Sequence, residues 1–173
     1  EHTYPGRATY TLSFQDPNRV KDILNVNFPN SVDVPFYVET TFTFLNPQFQ
    51  GLNSSVILLQ PPIDFACAGQ PFIHNPNAYD PDGDSLSYSL IVPLQNFGVN
   101  VPGYVYPDEI NPGLQNQIFL DAVSGTFTWR SPQNPGEYNI AIRINEYREG
   151  VLINSTVRDM QIFVDLCNNK PPV

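Results

Sequence analysis

The residues whose types and spacing invite chemistry are Asp80, Asp82 and Asp84, in Tyr79-Asp80-Pro81-Asp82-Gly83-Asp84-Ser85-Leu86. Carboxylates at alternate positions of one turn repel one another unless water, salt or a bound cation screens them. An all-oxygen ligand set on a flexible loop suits Ca2+ better than Mg2+. The competing reading is a solvated hairpin tip, because Asp, Pro, Gly and Ser are ordinary turn residues. An EF-hand loop fails on spacing. With Asp80 as its first position, the glycine position holds Ser85 and the bidentate glutamate position holds Ile91.

Other constellations are weaker. Asp108-Glu109 holds two acids, but adjacent carboxylates on a strand point to opposite faces and cannot act as a glycosidase pair. His2 and His74 lie in turn-like surroundings, and no nucleophile-elbow pattern accompanies them. His2 reads as a frayed terminus and His74 as a hydrogen-bonded loop residue. Two Cys and two His far apart offer no zinc spacing. Catalysis is therefore not expected. Trp129 alternates with Phe127, which favours core packing over a sugar platform. Better stacking candidates are Tyr104 and Tyr106, in the long Pro- and Gly-rich stretch 93–113, since binding residues concentrate on such loops. Asn53-Ser54-Ser55 and Asn154-Ser155-Thr156 match the N-glycosylation sequon.

Strands must position these residues. Period-two alternation dominates, in Tyr10/Leu12/Phe14, Phe36/Val38/Phe42/Phe44, Leu86/Tyr88/Leu90/Val92, Phe127/Trp129, Tyr138/Ile140/Ile142/Ile144 and Met160/Ile162/Val164. Pro and Gly punctuate the junctions, notably Asn111-Pro112-Gly113 and Asn134-Pro135-Gly136. Many short strands with turn signals predict an all-β chain of tandem antiparallel Ig-like or cadherin-like β-sandwiches. A boundary is expected near Gln60-Pro61-Pro62. Residues 63–173 then form a complete sandwich running into the next linker. Residues 1–62 form only the tail half of one, completed upstream or by a neighbour. Open sheet edges there would invite self-association.

Composition narrows the partners. With 8 basic against 17 acidic residues and a net charge of -9, neither nucleic acid nor an anionic lipid surface is a fitting partner. No apolar run approaches the roughly 18 residues needed to span a membrane. The chain begins with Glu1, so a processed or excised fragment is expected. Cys67 and Cys167 pull in two directions. Parity and export favour a bridge. Yet first and last strands that run parallel would set the two at opposite poles, beyond the ~7 Å a bridge allows, so an intradomain disulfide is not expected.

Residues 63–173 resemble the cadherin-like modules of bacterial surface proteins. The resemblance rests on Asp80 to Leu90, on Gly125-Thr126-Phe127-Thr128-Trp129, on Pro135-Gly136-Glu137-Tyr138 and on the run Val164 to Pro171. That last run departs from the cadherin linker pattern at Cys167 and Asn168. Pro61-Pro62-Ile63-Asp64 with Cys67, Gln70 to Asn75, Asn145 to Arg148 and Val157 to Gln161 are similar to large secreted proteins of gliding Bacteroidota. The resemblance covers most of residues 36–172. It implies a secreted, cell-surface, adhesin-like or filament-forming protein exported by type IX secretion and associated with gliding motility. The implied partners are neighbouring modules of the same chain and surface glycans. The implied joint places Asp80 and Asp82 beside Glu146, with Asp64 adding a ligand from the linker and Asp84 either ligating or capping. Asp84-Ser85-Leu86 also resembles the Bacteroidota O-glycosylation motif, with Ser85 as acceptor. The alternative function is a carbohydrate-binding accessory module of a secreted hydrolase, working through Tyr104 and Tyr106.

Overall fold

A computed structural model describes residues 3–46, 48 and 50–167. His2 and the linker residues Asn168 to Pro171 lie outside the described residues. The chain is all-β. The first ribbon pairs β1 (Thr9–Asp16) with β2 (Phe36–Thr43). Short strands β3 (Ile57–Leu58), β4 (Ile63–Cys67), β5 (Phe72–His74) and β6 (Ala78–Tyr79) follow, then β7 (Ser85–Ile91), β8 (Leu94–Asn96) and β9 (Val99–Asn100). Beyond them come β10 (Ile118–Leu120), β11 (Phe127–Trp129) and the two long strands β12 (Gly136–Arg148) and β13 (Val151–Asp165). Single 3-10 turns at Ser31–Asp33 and Pro107–Glu109 are the helical elements among the described residues.

The hairpin β12–β13 is the spine. Its register sets Tyr138 opposite Ile162 and Ile140 opposite Met160, so these even-numbered residues share one apolar face. That face packs on the smaller sheet β10-β11-β5, with Phe72, Phe127 and Trp129 meeting Tyr138, Ile140, Ile142, Ile144, Met160 and Ile162. Burying each such side chain contributes on the order of 1.5–3 kcal/mol. Trp129 is fully buried, edge-on to Tyr138 at 4.9 Å, and its indole N–H donates to Asn116 Oδ1 at 2.6 Å. It is a core residue, as its alternation with Phe127 predicts.

The expected boundary near residue 62 needs correction. Strands from both sides of it belong to one sheet, ordered β7-β12-β13-β2-β8-β9, with β1 on β2 and β4 on β13. The reason is the length of β13. Its first part pairs with β2, Ser155 opposite Thr41, and its second part pairs in parallel with β4, Phe163 opposite Phe65. The Pro pair marks the hand-over between the two, where the Gln161 N–H donates to Pro62 O at 2.9 Å. The N-terminal strands thus find a pairing partner inside the chain.

The cysteine expectation also needs correction: Cys67 and Cys167 are bridged, with their Cα atoms 5.3 Å apart. Cys67 ends β4 and Cys167 follows the end of β13. In a parallel pair the two C-terminal ends lie at the same pole, and Cys67 stands opposite Asp165.

On the other face of the large sheet, the segments 17–35 and 93–110 build a second small core from Ile23, Val26, Val34 and Val101. Arg19 anchors it through a buried 2.7 Å ion pair to Asp159 and a 2.9 Å hydrogen bond to Leu94 O. Burial pushes the Asp159 carboxyl up, with the Arg19 charge pulling the other way.

Candidate functional site: an acidic clasp at the end of the spine

The acidic turn is built by Asp80 itself. Its Oδ1 accepts the backbone N–H groups of Asp82 and Asp84, each at 2.9 Å, while Gly83 supplies the positive φ of +82° that closes the turn. The turn delivers the chain into β7, which pairs with β12 so that Leu86 lies opposite Glu146. Glu146 continues the core-facing row of β12 past Ile144. A register shift at Glu146/Tyr147 leaves Ile153 of β13 without a partner on β12. The row has outrun the smaller sheet, and a carboxylate rather than an aliphatic side chain ends up under the segment 50–56.

That segment is tied down through its polar groups. Glu146 is 1% exposed and accepts from Asn53 Nδ2 at 2.8 Å, Asn154 Nδ2 at 2.7 Å and the Val56 N–H at 3.2 Å. Arg148 grips Asp84 with two bonds, Nε to Oδ1 at 2.8 Å and Nη2 to Oδ2 at 2.6 Å. The same guanidinium donates to Gln50 O at 2.6 Å, Leu52 O at 3.0 Å and Asn53 Oδ1 at 2.9 Å. Paired and charge-assisted bonds of this kind are the strong ones. Burial pushes the Glu146 carboxyl above its ordinary range, and the Asp80 charge adds to the push. Hydrogen bonds from Asn53, Val56 and Asn154 oppose it.

The structure brings together Asp80, Asp84 and Glu146, with one carboxylate oxygen of each within 4.8 Å of the others. Asp82 stands at the rim, accepting the Ser54 N–H at 2.5 Å and lying 3.9 Å from Arg148. Asp64 is engaged elsewhere. Its Oδ2 pairs with His74 Nδ1 at 2.8 Å, in a contact between β4 and β5. His74 is accordingly a buried strand residue, not a loop residue.

The donor set fits a small hard cation on one specific point. Asp80 is buried, and its Oδ2 has no hydrogen-bond partner. Oxygens bound to Ca2+ at ~2.4 Å lie at most about 5 Å apart, which the cluster satisfies. Arg148 offsets only part of the clustered negative charge.

Tyr104 and Tyr106 do not present a free stacking platform. The Tyr104 hydroxyl donates to Asn139 O at 3.2 Å, its ring packs on the small core, and Tyr106 meets it edge-on at 5.3 Å. Burial drives the Tyr104 hydroxyl pKa far upward. Ser85 is exposed at the start of β7 and open to modification. The sequon residues Asn53 and Asn154 are not, because both side chains serve Glu146 and Asn154 is 2% exposed.

Arg148, Asn53 and Asn154 are the site residues that sequence reasoning missed. Arg148 carried a readable signal, standing two residues beyond Glu146 and so on the same face of the strand. The asparagines carried none, because their roles depend on where 50–56 and β13 come to lie.

No family model matches the chain, and no curated protein matches it. Solved structures similar over part of it include the following two. A putative alpha-galactosidase from Bacteroides fragilis has 12% identity and a TM-score of 0.43, covering 65% of this chain and 18% of that one. A nucleoside hydrolase-related hypothetical protein from Saccharophagus degradans, associated with carbohydrate metabolism, has 18% identity and a TM-score of 0.42, covering 68% of this chain and 27% of that one. The chain thus spans about a fifth and about a quarter of those proteins' lengths. What it defines by itself is an all-β sandwich with a polar clasp at one end of its spine.

Proposed function

We propose that the chain is a non-catalytic structural and adhesive module of a secreted surface or filament-forming protein, with Ca2+ held at its acidic clasp. The observation that carries this reading is the buried, unpartnered Oδ2 of Asp80, a residue clustered with Asp84 and Glu146. A partnerless carboxylate oxygen beside two further acids is costly to bury, and a divalent cation there would neutralise the cluster. The chain's own residues perform the mechanical work. Arg148 and Glu146 fix 50–56 against the turn. The Cys67–Cys167 bridge supports an extracellular setting, because disulfides persist in oxidising compartments. Among the described residues no helix is long and apolar enough to cross a membrane. The carbohydrate-binding alternative loses its platform at Tyr104, whose ring and hydroxyl are both engaged within the fold.

Differential scanning calorimetry with added Ca2+ or chelator tests the ion. Free Ca2+ at ~100-fold above Kd adds about 2.7 kcal/mol, which raises Tm by roughly 5–10 °C for a chain of this size. Asp80→Asn should abolish the rise. A melting temperature indifferent to Ca2+ would remove the ion from the proposal.

A further inference from the structure

The ribbon β1–β2 carries a feature that the sandwich does not use. β1 pairs with β2 on one side and, among the described residues, with no strand on the other. Its register is continuous from Thr9 opposite Thr43 to Asp16 opposite Phe36, without a bulge. Thr9–Asp16 contains no Pro, Lys or Arg, the residues that commonly guard an exposed edge. The hydrogen-bonding parity is fixed by the Phe44 N–H donating to Ala8 O at 2.9 Å. In an antiparallel ladder such pairs recur every second residue. Tyr10, Leu12 and Phe14 therefore turn their backbone groups toward β2, while Thr9, Thr11, Ser13 and Gln15 turn theirs to the free edge.

The edge is self-complementary about Leu12. A second copy laid antiparallel with its Leu12 opposite this one sets Thr11 against Ser13 and Thr9 against Gln15, where the free backbone groups lie. The same register sets Tyr10 against Phe14 on the opposite face. Apolar meets apolar and hydroxyl meets polar throughout. The chain already makes such contacts within the ribbon, where Thr9 meets Thr43 at 3.1 Å and Thr11 meets Thr41 at 2.9 Å between side-chain oxygens. A register shifted by one residue would put Leu12 opposite Ser13 and mismatch both faces. Leu12 and Phe14 are open to a partner, 53% and 60% exposed, while the Tyr10 ring is partly covered by Tyr4 at 4.6 Å.

We propose that β1 pairs edge to edge with β1 of a second copy of this chain, antiparallel about a two-fold axis at Leu12. The result is a four-stranded ribbon, β2-β1-β1-β2, joining two sandwiches. This adds a closed, two-fold self-association contact to the reading above and is independent of its ion, so the two fail separately: one by sedimentation, the other by calorimetry.

Sedimentation equilibrium of the 173-residue chain at ~100 µM, where even a micromolar interface is filled, should give twice the 19.5 kDa monomer mass. A monomer at that concentration overturns the pairing. The register is tested by cross-linking. Leu12 and its counterpart form a non-hydrogen-bonded pair with Cα atoms ~4.5 Å apart, within disulfide reach. Leu12→Cys should therefore oxidise to a covalent dimer at least tenfold faster than Phe14→Cys, whose counterparts lie four residues out of register. Equal rates would mean a different contact and overturn the proposal. Leu12→Lys should be monomeric, with the melting temperature of the parent chain at a concentration dilute enough to keep both monomeric, and mixing it with Leu12→Glu should restore the dimer. A Leu12→Lys chain that still dimerises also overturns it.

Discussion

The sandwich and the ribbon carry the same sequence pattern and meet opposite fates. Ile140, Ile142 and Ile144 alternate with polar residues on β12 and are at most 1% exposed. Leu12 and Phe14 alternate in the same way on β1 and are more than half exposed. The difference lies in what each face meets. The even face of β12 and β13 is covered by the sheet β10-β11-β5. The corresponding face of the ribbon extends past that cover, with an aromatic patch of Tyr4, Tyr10, Phe42 and Phe44 whose rings lie 4.6–6.3 Å apart. An amphipathic strand specifies that one face wants burial. It does not specify which surface supplies it.

The sharpest test of this contrast removes the link that closes the sandwich. Replacing Cys67 and Cys167 together by Ala opens a loop with a sequence separation of 100. For such a loop the chain-entropy model predicts a loss of about 4.7 kcal/mol. Urea unfolding should show this loss, and amide exchange on β4 and the end of β13 should accelerate while β1 and β2 are little affected. A uniform acceleration would mean that the two regions are one cooperative unit.

Next in size is the comparison of matched truncations. Ile142→Ala leaves a cavity in a full core and should cost roughly 2–5 kcal/mol. Leu12→Ala should stay within about 0.5 kcal/mol, as for a surface change, when measured at a concentration that keeps the chain monomeric. Similar costs for both would show that the ribbon face is covered after all.

The smallest expected effect is the pH dependence of the clasp. A carboxyl whose pKa is raised by folding binds its proton more tightly in the folded state. The contribution of Glu146 to stability therefore grows as pH falls through its folded pKa, is complete below its ordinary value of 4.5, and is lost as pH rises. Asp159 acts in the same direction. In chelator, Glu146→Gln should flatten the stability profile above pH 4.5, whereas Leu12→Ala should leave its slope unchanged. A slope unaltered by Glu146→Gln would show that the carboxyl titrates normally.

The strands were legible because side-chain alternation is a local property: the period-two runs at Tyr10, Phe36, Leu86, Phe127, Tyr138 and Met160 all fall on observed strands. Trp129 was legible for the same reason. The cysteine bridge was misjudged through the sense of a parallel pair, since Cys67 sits at the end of β4 and not at its start. The boundary at residue 62 was overdrawn because a Pro pair reports a break in the backbone. It cannot report that β13 is long enough to hold β2 and β4 in succession. In the clasp, the acids of the turn were visible as a cluster, whereas Asp64 was assigned to it by position in the chain and in fact faces His74.

By itself, the sequence determined the all-β class, the turn at Asp80 to Asp84 and the apolar rows, because each follows from neighbours two to four residues apart. Only the tertiary structure decided which row is core and which is open edge. It also decided that Arg148 and Glu146 close on a segment some ninety residues earlier, and that two cysteines with a sequence separation of 100 meet at one pole. The physical reason is the same throughout. Alternation and turn chemistry are fixed along the chain, but burial, charge pairing and cross-links depend on which strand lies beside which.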